Sequence, residues 1–131
     1  MKETIVWTNG CFDVLHRGHI ELFKHASLLG DCLLVGLDTD EKVKRDKGPL
    51  RPFNKLEDRK FILESIKYID KVYKFDSRSS LESLIKTLKP DILVIGSDWK
   101  GKDVVGAQYA RKVEFFDRIN GYSTTSVLEN K

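Results

Sequence analysis

Apolar positions fall into two rhythms along this chain. Thr4–Thr8 (TIVWT) is a short β-branched and aromatic run that predicts a strand. From His19 to Leu29 the apolar residues Ile20, Phe23, Ala26 and Leu29 recur every three or four positions, which predicts a helix with one buried face. Gly30 is its candidate C-cap. Cys32–Leu37 (CLLVGL) is almost wholly apolar, as in a strand covered on both sides. Asn9–Gly18, between strand and helix, reads as a loop.

The alternation continues. Asp40–Phe53 is polar and basic and contains Gly48, Pro49 and Pro52, so it reads as a long loop with at most one helical turn. Asn54 and Glu57 have capping-box spacing ahead of a helical stripe from Leu56 to Ile69. Lys71–Phe75 is a strand. Ser79 and Glu82 repeat the capping-box spacing before Leu81–Leu88, and Pro90 ends that helix. Asp91–Ile95 (DILVI) is a central-type strand. Val104–Lys112 predicts a short helix, Val113–Phe116 a last strand and Ser123–Leu128 a closing helical turn. The order β-α-β-loop-α-β-α-β-α-β-α predicts an α/β fold: a Rossmann-like open parallel sheet of about five strands, with helices on both faces. The 131 residues suit a single domain, without linker or internal repeat.

Composition narrows the class. With 40% apolar and 33% charged residues the chain is globular. Cys11 and Cys32 form no CxxC pair and no disulfide framework, so free thiols in a reducing compartment are expected. Neither a signal-peptide apolar run nor a membrane span is present, and a soluble, cytoplasmic protein with no membrane partner is expected. The net charge is +3, and the lysines are spread out, with one cluster at Lys42, Lys44, Arg45, Lys47 and Arg51. Such a cluster fits a phosphorylated ligand as well as a nucleic-acid backbone. Nucleic-acid binding also calls for a wide basic patch with stacking aromatics, and is not expected.

Candidate chemistry starts in the loop after the first strand, Gly10-Cys11-Phe12-Asp13-Val14-Leu15-His16-Arg17-Gly18-His19. In an α/β sheet the ligand crevice lies beyond the carboxyl ends of the strands. This loop leaves such an end and feeds a helix N-terminus, where free N–H groups and the positive dipole end attract phosphate. From spacing alone the two histidines serve a phosphate, or a metal with Cys11 as third ligand, or neither. The loop is neither a Walker A motif nor G-x-G-x-x-G.

The run GCFDVLHRGH resembles the G-x-F-D-x-x-H-x-G-H signature of the cytidylyltransferase-like nucleotidyltransferases, with six fixed positions in ten residues. The likeness extends through LGD at Leu29–Asp31 and RPFNKLEDR at Arg51–Arg59 to GYSTTSVL at Gly121–Leu128. It implies transfer of a nucleotidyl group from an NTP, ATP or CTP, to a small phosphorylated acceptor, with Mg²⁺ accompanying the triphosphate and pyrophosphate leaving. It implies that His16 and His19 bind phosphates and stabilise the transition state, with Gly10, Cys11 and Phe12 at the nucleotide. Cys11 replaces the threonine of many relatives, at a position whose contact is through the backbone.

Other residues carry two readings. The basic segment is a solvated face, or, by the resemblance, supplies Lys44 or Lys47 to the phosphates. Arg51 and Arg59 are further candidates, Arg59 equally as a helix-surface ion pair. Asp98, after the strand DILVI, is a turn former or an acidic group near nucleotide and metal. Ser123, Thr124 and Thr125 are helix caps or triphosphate ligands, and Arg118 matches a nucleotide-contacting arginine. KGPLRPFNKLEDR resembles the sugar-phosphate branch of the family, which adenylylates heptose 1-phosphate. GSDWKGK resembles the glycerol-3-phosphate cytidylyltransferase branch. The sugar phosphate is favoured. An inactive nucleotide-binding module is the rival, against which both histidines stand. The resemblance also implies a homodimer, with Tyr68 and Ile69 in Lys67–Asp70 at its interface. The loop Asp40–Phe53, with five mutually repelling basic side chains and no strong apolar anchor before Leu50, is expected to be mobile until ligand binds.

Overall fold

The computed structural model describes residues 2–117. Among these are five strands, β1 (Ile5–Gly10), β2 (Cys32–Asp38), β3 (Lys71–Phe75), β4 (Ile92–Gly96) and β5 (Lys112–Phe116). The helices are α1 (Arg17–Ser27), α2 (Asp40–Lys47), α3 (Leu56–Glu64) and α4 (Arg78–Leu88). All pairings are parallel, in the order β3-β2-β1-β4-β5. The expected Rossmann-like sheet is therefore present.

Each strand sends alternate residues to opposite faces. Val6, Leu33, Val35, Leu37, Val72 and Val94 join Phe23 and Ala26 of α1 and Leu63 of α3 in one core layer. Trp7, Leu34, Phe75 and Leu93 join Leu81 and Ile85 of α4 in the other. Helices thus cover both faces. The amino ends of the strands are tied by aspartates just outside them. Asp31 accepts from Thr4 N, Asp70 from Leu33 N and Asp91 from Ile5 N. The carboxyl ends are looser. β1 pairs with β2 along six residues but with β4 only at Val6↔Ile92 and Trp7↔Leu93. Beyond Trp7 the two strands part, at the point where the chain order reverses, and a crevice opens there.

Several boundaries differ from the sequence-based expectation. α1 begins at Arg17, because His16 takes the N-cap role usual for Ser, Thr, Asp or Asn. It ends with Leu28 as C-cap, so Gly30 does not cap it. Gly30 serves close approach instead, since a Cβ there would lie 2.6 Å from Thr4 O. Most of the expected basic loop is helix α2. Thr39 caps it, Asp40 and Glu41 open it, and Lys44, Arg45 and Lys47 close it, in accord with the helix dipole. Its one apolar residue, Val43, is fully buried and anchors it. α3 starts without a side-chain cap, since Asn54 is engaged elsewhere. The cap of α4 is the reciprocal pair Ser77 and Ser80 rather than Ser79 and Glu82. The expected helix over Val104–Lys112 is a single 3-10 turn, Ala107–Tyr109. Ile69 is buried in the core and Tyr68 packs against it, so both side chains complete this chain's own interior.

Candidate active site

The signature run leaves β1 at the crevice. Gly10 passes so close to the Phe12 ring that a Cβ would sit 3.1 Å from it. Phe12 itself has φ 46, in the left-handed region that non-glycine residues seldom adopt. This turn buries the Phe12 ring edge-on to Phe23 and to His19, at 5.1 and 5.6 Å between centroids. The Phe12 side chain therefore backs the site from the core.

The histidines build the start of α1. His16 Nδ1 accepts from Gly18 N at 3.0 Å, and His19 Nδ1 accepts from His16 N at 3.2 Å. The spacing H-x-G-H is a capping box made of imidazoles. Because both Nδ1 atoms accept, each neutral ring carries its proton on Nε2. The rings lie 4.0 Å apart, centroid to centroid. Burial pushes the His19 pKa down to about 4, with His16 and then Lys47 adding to the effect. At neutral pH His19 is an uncharged Nε2–H donor. The expected free N–H groups are partly used: Gly18 N donates to the His16 ring and His19 N to His16 O. Imidazole donors thus replace backbone ones at this helix start.

Two buried charges hold the run in place. Asp13 accepts from Arg51 Nε at 3.2 Å, Phe53 N at 2.7 Å and Asn54 N at 2.8 Å, while Asn54 Nδ2 donates to its carbonyl. Arg59, with its side chain fully buried, donates to Cys11 O, Asp38 O, Asn54 O and the Asp40 carboxylate. It therefore joins the ends of β1 and β2 to the start of α3. Neither a helix-surface pair nor an exposed ligand contact describes Arg59. The role of Asp13 went unread in the sequence. Its only signal was the pairing of a signature aspartate with a distant R-P-F-N.

The crevice continues into a cleft of about 540 Å³ at the carboxyl edge of the sheet. Its floor includes Asn9, Gly10 and Cys11, with Lys42 and Lys47 of α2 on one side. Arg78 and Leu81 of α4 and Trp99 and Val104 of the chain after β4 form the rest. Burial raises the Cys11 thiol pKa, which keeps the thiol protonated. Lys42 is held by Asp38 and Asp46, at 3.4 and 2.6 Å. Lys47 acts electrostatically on both Cys11 and His19. Gly10, Cys11 and Lys47 line this cleft, whereas His16 and His19 are not in its lining; they pair with each other beside it, and His19 lies within the field of Lys47. Lys44 is exposed on α2 and outside the cleft wall. Asp98 lies on an exposed 3-10 turn between Gly96 and Trp99, which do line the cleft. Arg118, Ser123, Thr124 and Thr125 lie outside the described residues. Among the described residues no cluster of three or more His, Cys, Asp or Glu is arranged to hold a metal, and no helix is long and apolar enough to cross a membrane.

Comparison with known proteins places this geometry. The chain is 48% identical over 126 residues to the bifunctional protein HldE of Campylobacter fetus subsp. fetus, covering 96% of this chain and 27% of that one. It is 49% identical over 125 residues to the bifunctional protein HldE of Nitratiruptor sp., covering 95% and 27%. The chain therefore spans about a quarter of the length of these relatives. Among solved structures, the lipopolysaccharide core biosynthesis protein from Thermoplasma volcanium superposes with a TM-score of 0.70 at 23% identity, covering 93% of this chain and all of that one. Pantoate-beta-alanine ligase from Francisella tularensis superposes at 0.65 and 16%, covering 98% of this chain and 66% of that one. These two likenesses concern the fold. Residues 7–130 match the family described as cytidylyltransferase-like, and the chain belongs to that family.

Proposed function

We propose that the chain transfers a nucleotidyl group from an NTP, ATP in the favoured case, to a heptose 1-phosphate-like sugar phosphate and releases pyrophosphate. The observation that carries this reading is the paired imidazole cap at the crevice. Two imidazoles whose Nδ1 atoms accept backbone N–H bonds start α1 after the strand where the sheet order reverses, and the buried, uncharged His19 lies within the field of Lys47. Neutral donors suit a reaction in which negative charge grows on phosphate oxygens.

An oxygen of the acceptor phosphate attacks the α-phosphorus in line, the bond to the β-phosphate oxygen breaks, and pyrophosphate leaves with that electron pair. No protein nucleophile is needed, because the acceptor brings its own oxyanion. The chain positions and stabilises: His16 and His19 donate to the phosphates, Lys47 neutralises, and backbone at Gly10–Phe12 lies against the nucleotide. Arg118 and Ser123–Thr125 are proposed triphosphate contacts. Asp98 is proposed near the nucleotide, and Lys44 is the weaker of the two lysine candidates. Mg²⁺ enters with the triphosphate and offsets its charge. The relatives named HldE support the sugar phosphate.

We also place the chain in a homodimer, using exposed Phe61 and Ile62 on α3 rather than Ile69. Sedimentation equilibrium at micromolar concentration checks this, a mass near 15 kDa opposing it. The function is tested by a matrix of four NTPs against heptose 1-phosphate, other sugar phosphates and glycerol 3-phosphate, read as pyrophosphate release. ATP with heptose 1-phosphate is expected to be fastest. Preference for CTP with glycerol 3-phosphate overturns the sugar reading.

A further inference from the structure

The cleft extends beyond the signature run. Its reacting end is at Gly10, Cys11 and Lys47, and its far end is at Phe75 and Arg78, beyond β3. β3 lies two places from β1 in the sheet, about 10 Å at ordinary strand spacing. Phe75 gives this far end an apolar wall, while Asp38 and Asp46 place carboxylates along the way.

Arg78 is the first residue of α4, and its Nη2 lies 2.6 Å from Asp103 Oδ2. Asp103 immediately precedes Val104 and Val105, which also line the cleft and pack against the layer of Leu81 and Ile85. The pair therefore ties the start of α4 to the chain after β4 at the cleft's edge. Both side chains are well exposed, at 61% and 86%. An exposed pair of this kind is weak and readily replaced. The other cleft cation on this side, Lys42, is already held by two carboxylates.

We infer that Arg78 reads the hydroxyls at the end of the acceptor remote from its phosphate, so that it selects sugar phosphates over short polyol phosphates, with Asp103 occupying its guanidinium until the sugar arrives. This rests on the proposed nucleotidyl transfer to a sugar phosphate and names the residue that sets its acceptor length. A guanidinium presents a planar fork of donors suited to neighbouring hydroxyl oxygens, and lysine does not reproduce that fork. A glycerol phosphate anchored at Gly10 is too short to reach β3.

The test is an equilibrium titration followed by Trp99 fluorescence. Trp99 is half-exposed in the cleft wall, while the chain's other tryptophan, Trp7, is fully buried. Heptose 1-phosphate, mannose 1-phosphate and glycerol 3-phosphate are titrated into the wild type, Arg78→Ala, Arg78→Lys and Asp103→Asn, and melting temperatures are taken for each. Arg78→Ala is expected to weaken both sugar phosphates at least ten-fold and glycerol 3-phosphate less than three-fold. Arg78→Lys recovers little, and Asp103→Asn tightens the sugars two-fold or more. Weakening of sugar binding by both Arg78→Ala and Asp103→Asn makes the pair a structural tie and overturns the proposal, as does an equal loss for glycerol 3-phosphate. A wild type that binds glycerol 3-phosphate but no sugar phosphate overturns the sugar reading itself, and Arg78 as selector with it. That failure shows in the wild type, whereas failure of the Arg78 assignment alone shows only in the variants.

Discussion

Arg59 and Lys47 are both basic and both adjoin the signature run, yet they do different work. Arg59 is sealed in the interior with four hydrogen bonds, to Cys11 O, Asp38 O, Asn54 O and Asp40. Lys47 ends α2 on the surface, beside the cleft, and is felt by His19 and Cys11 through its field. The first holds the loops in register. The second is proposed to present a flexible point charge to a ligand. Two cations near one loop therefore need not share a role: the buried one holds the loops, and the exposed one is the proposed ligand contact.

The sharpest way to break this contrast is Arg59→Ala. It removes the Arg59 donors from the carbonyls of Cys11, Asp38 and Asn54 and the cation from beside Asp40, and is expected to lower stability by about 3–5 kcal/mol. Urea denaturation measures it. A midpoint like the wild type's contradicts the structural role. Lys47→Ala, by the same assay, is expected to leave the midpoint unchanged. Its effect is on turnover, where loss of a charge-assisted phosphate contact slows kcat/KM roughly ten-fold. Lys44→Ala, on the exposed face of the same helix, is expected to stay near wild type. Equal losses from the two lysines remove the distinction between cleft and surface.

A smaller effect concerns pH. The His19 pKa is lowered to about 4 from 6.5, chiefly by burial. Between those values the unfolded chain binds this proton and the folded chain does not. His19 therefore makes stability fall as pH drops from 6.5 toward 4, and has no such effect above 6.5. His19→Gln is expected to flatten that part of the stability profile, read by melting temperature across pH 4–7. An unchanged slope contradicts the buried, neutral imidazole. Smaller again is the change in tryptic cutting at Lys42–Lys47. Val43 already anchors this helix, so NTP·Mg²⁺ is expected to reduce cutting only modestly, seen by peptide mapping after brief digestion.

Much of this was legible in the sequence, for physical reasons. Runs such as CLLVGL and DILVI are long and apolar enough to fix central strands, and the spacing of Ile20, Phe23 and Ala26 fixes α1. The signature run pointed to the family by its resemblance, whereas its spacing alone left a phosphate, a metal or no role open. What went unread lacked a periodic signal. α2 has one apolar residue in eight, so its helix rests on caps, dipole-matched charges and the single anchor Val43. His16 is not an expected cap residue, which hid the true start of α1. The Asp13 bonds join positions 38 to 41 residues apart and the Arg59 bond to Cys11 spans 48, and no local pattern reports such pairings.

Stabilisation of charge in nucleotidyl transfer is proposed to rest on the two imidazoles at the start of α1. Its most direct test is the initial rate of pyrophosphate release by His16→Ala and His19→Ala, with ATP·Mg²⁺ and the acceptor that the wild type uses fastest. Each variant is expected to lose roughly 100-fold or more in turnover, while His16→Ala gives up about 1 kcal/mol of stability as a lost helix cap. Near-wild-type turnover in both variants, with folding intact, contradicts the claim.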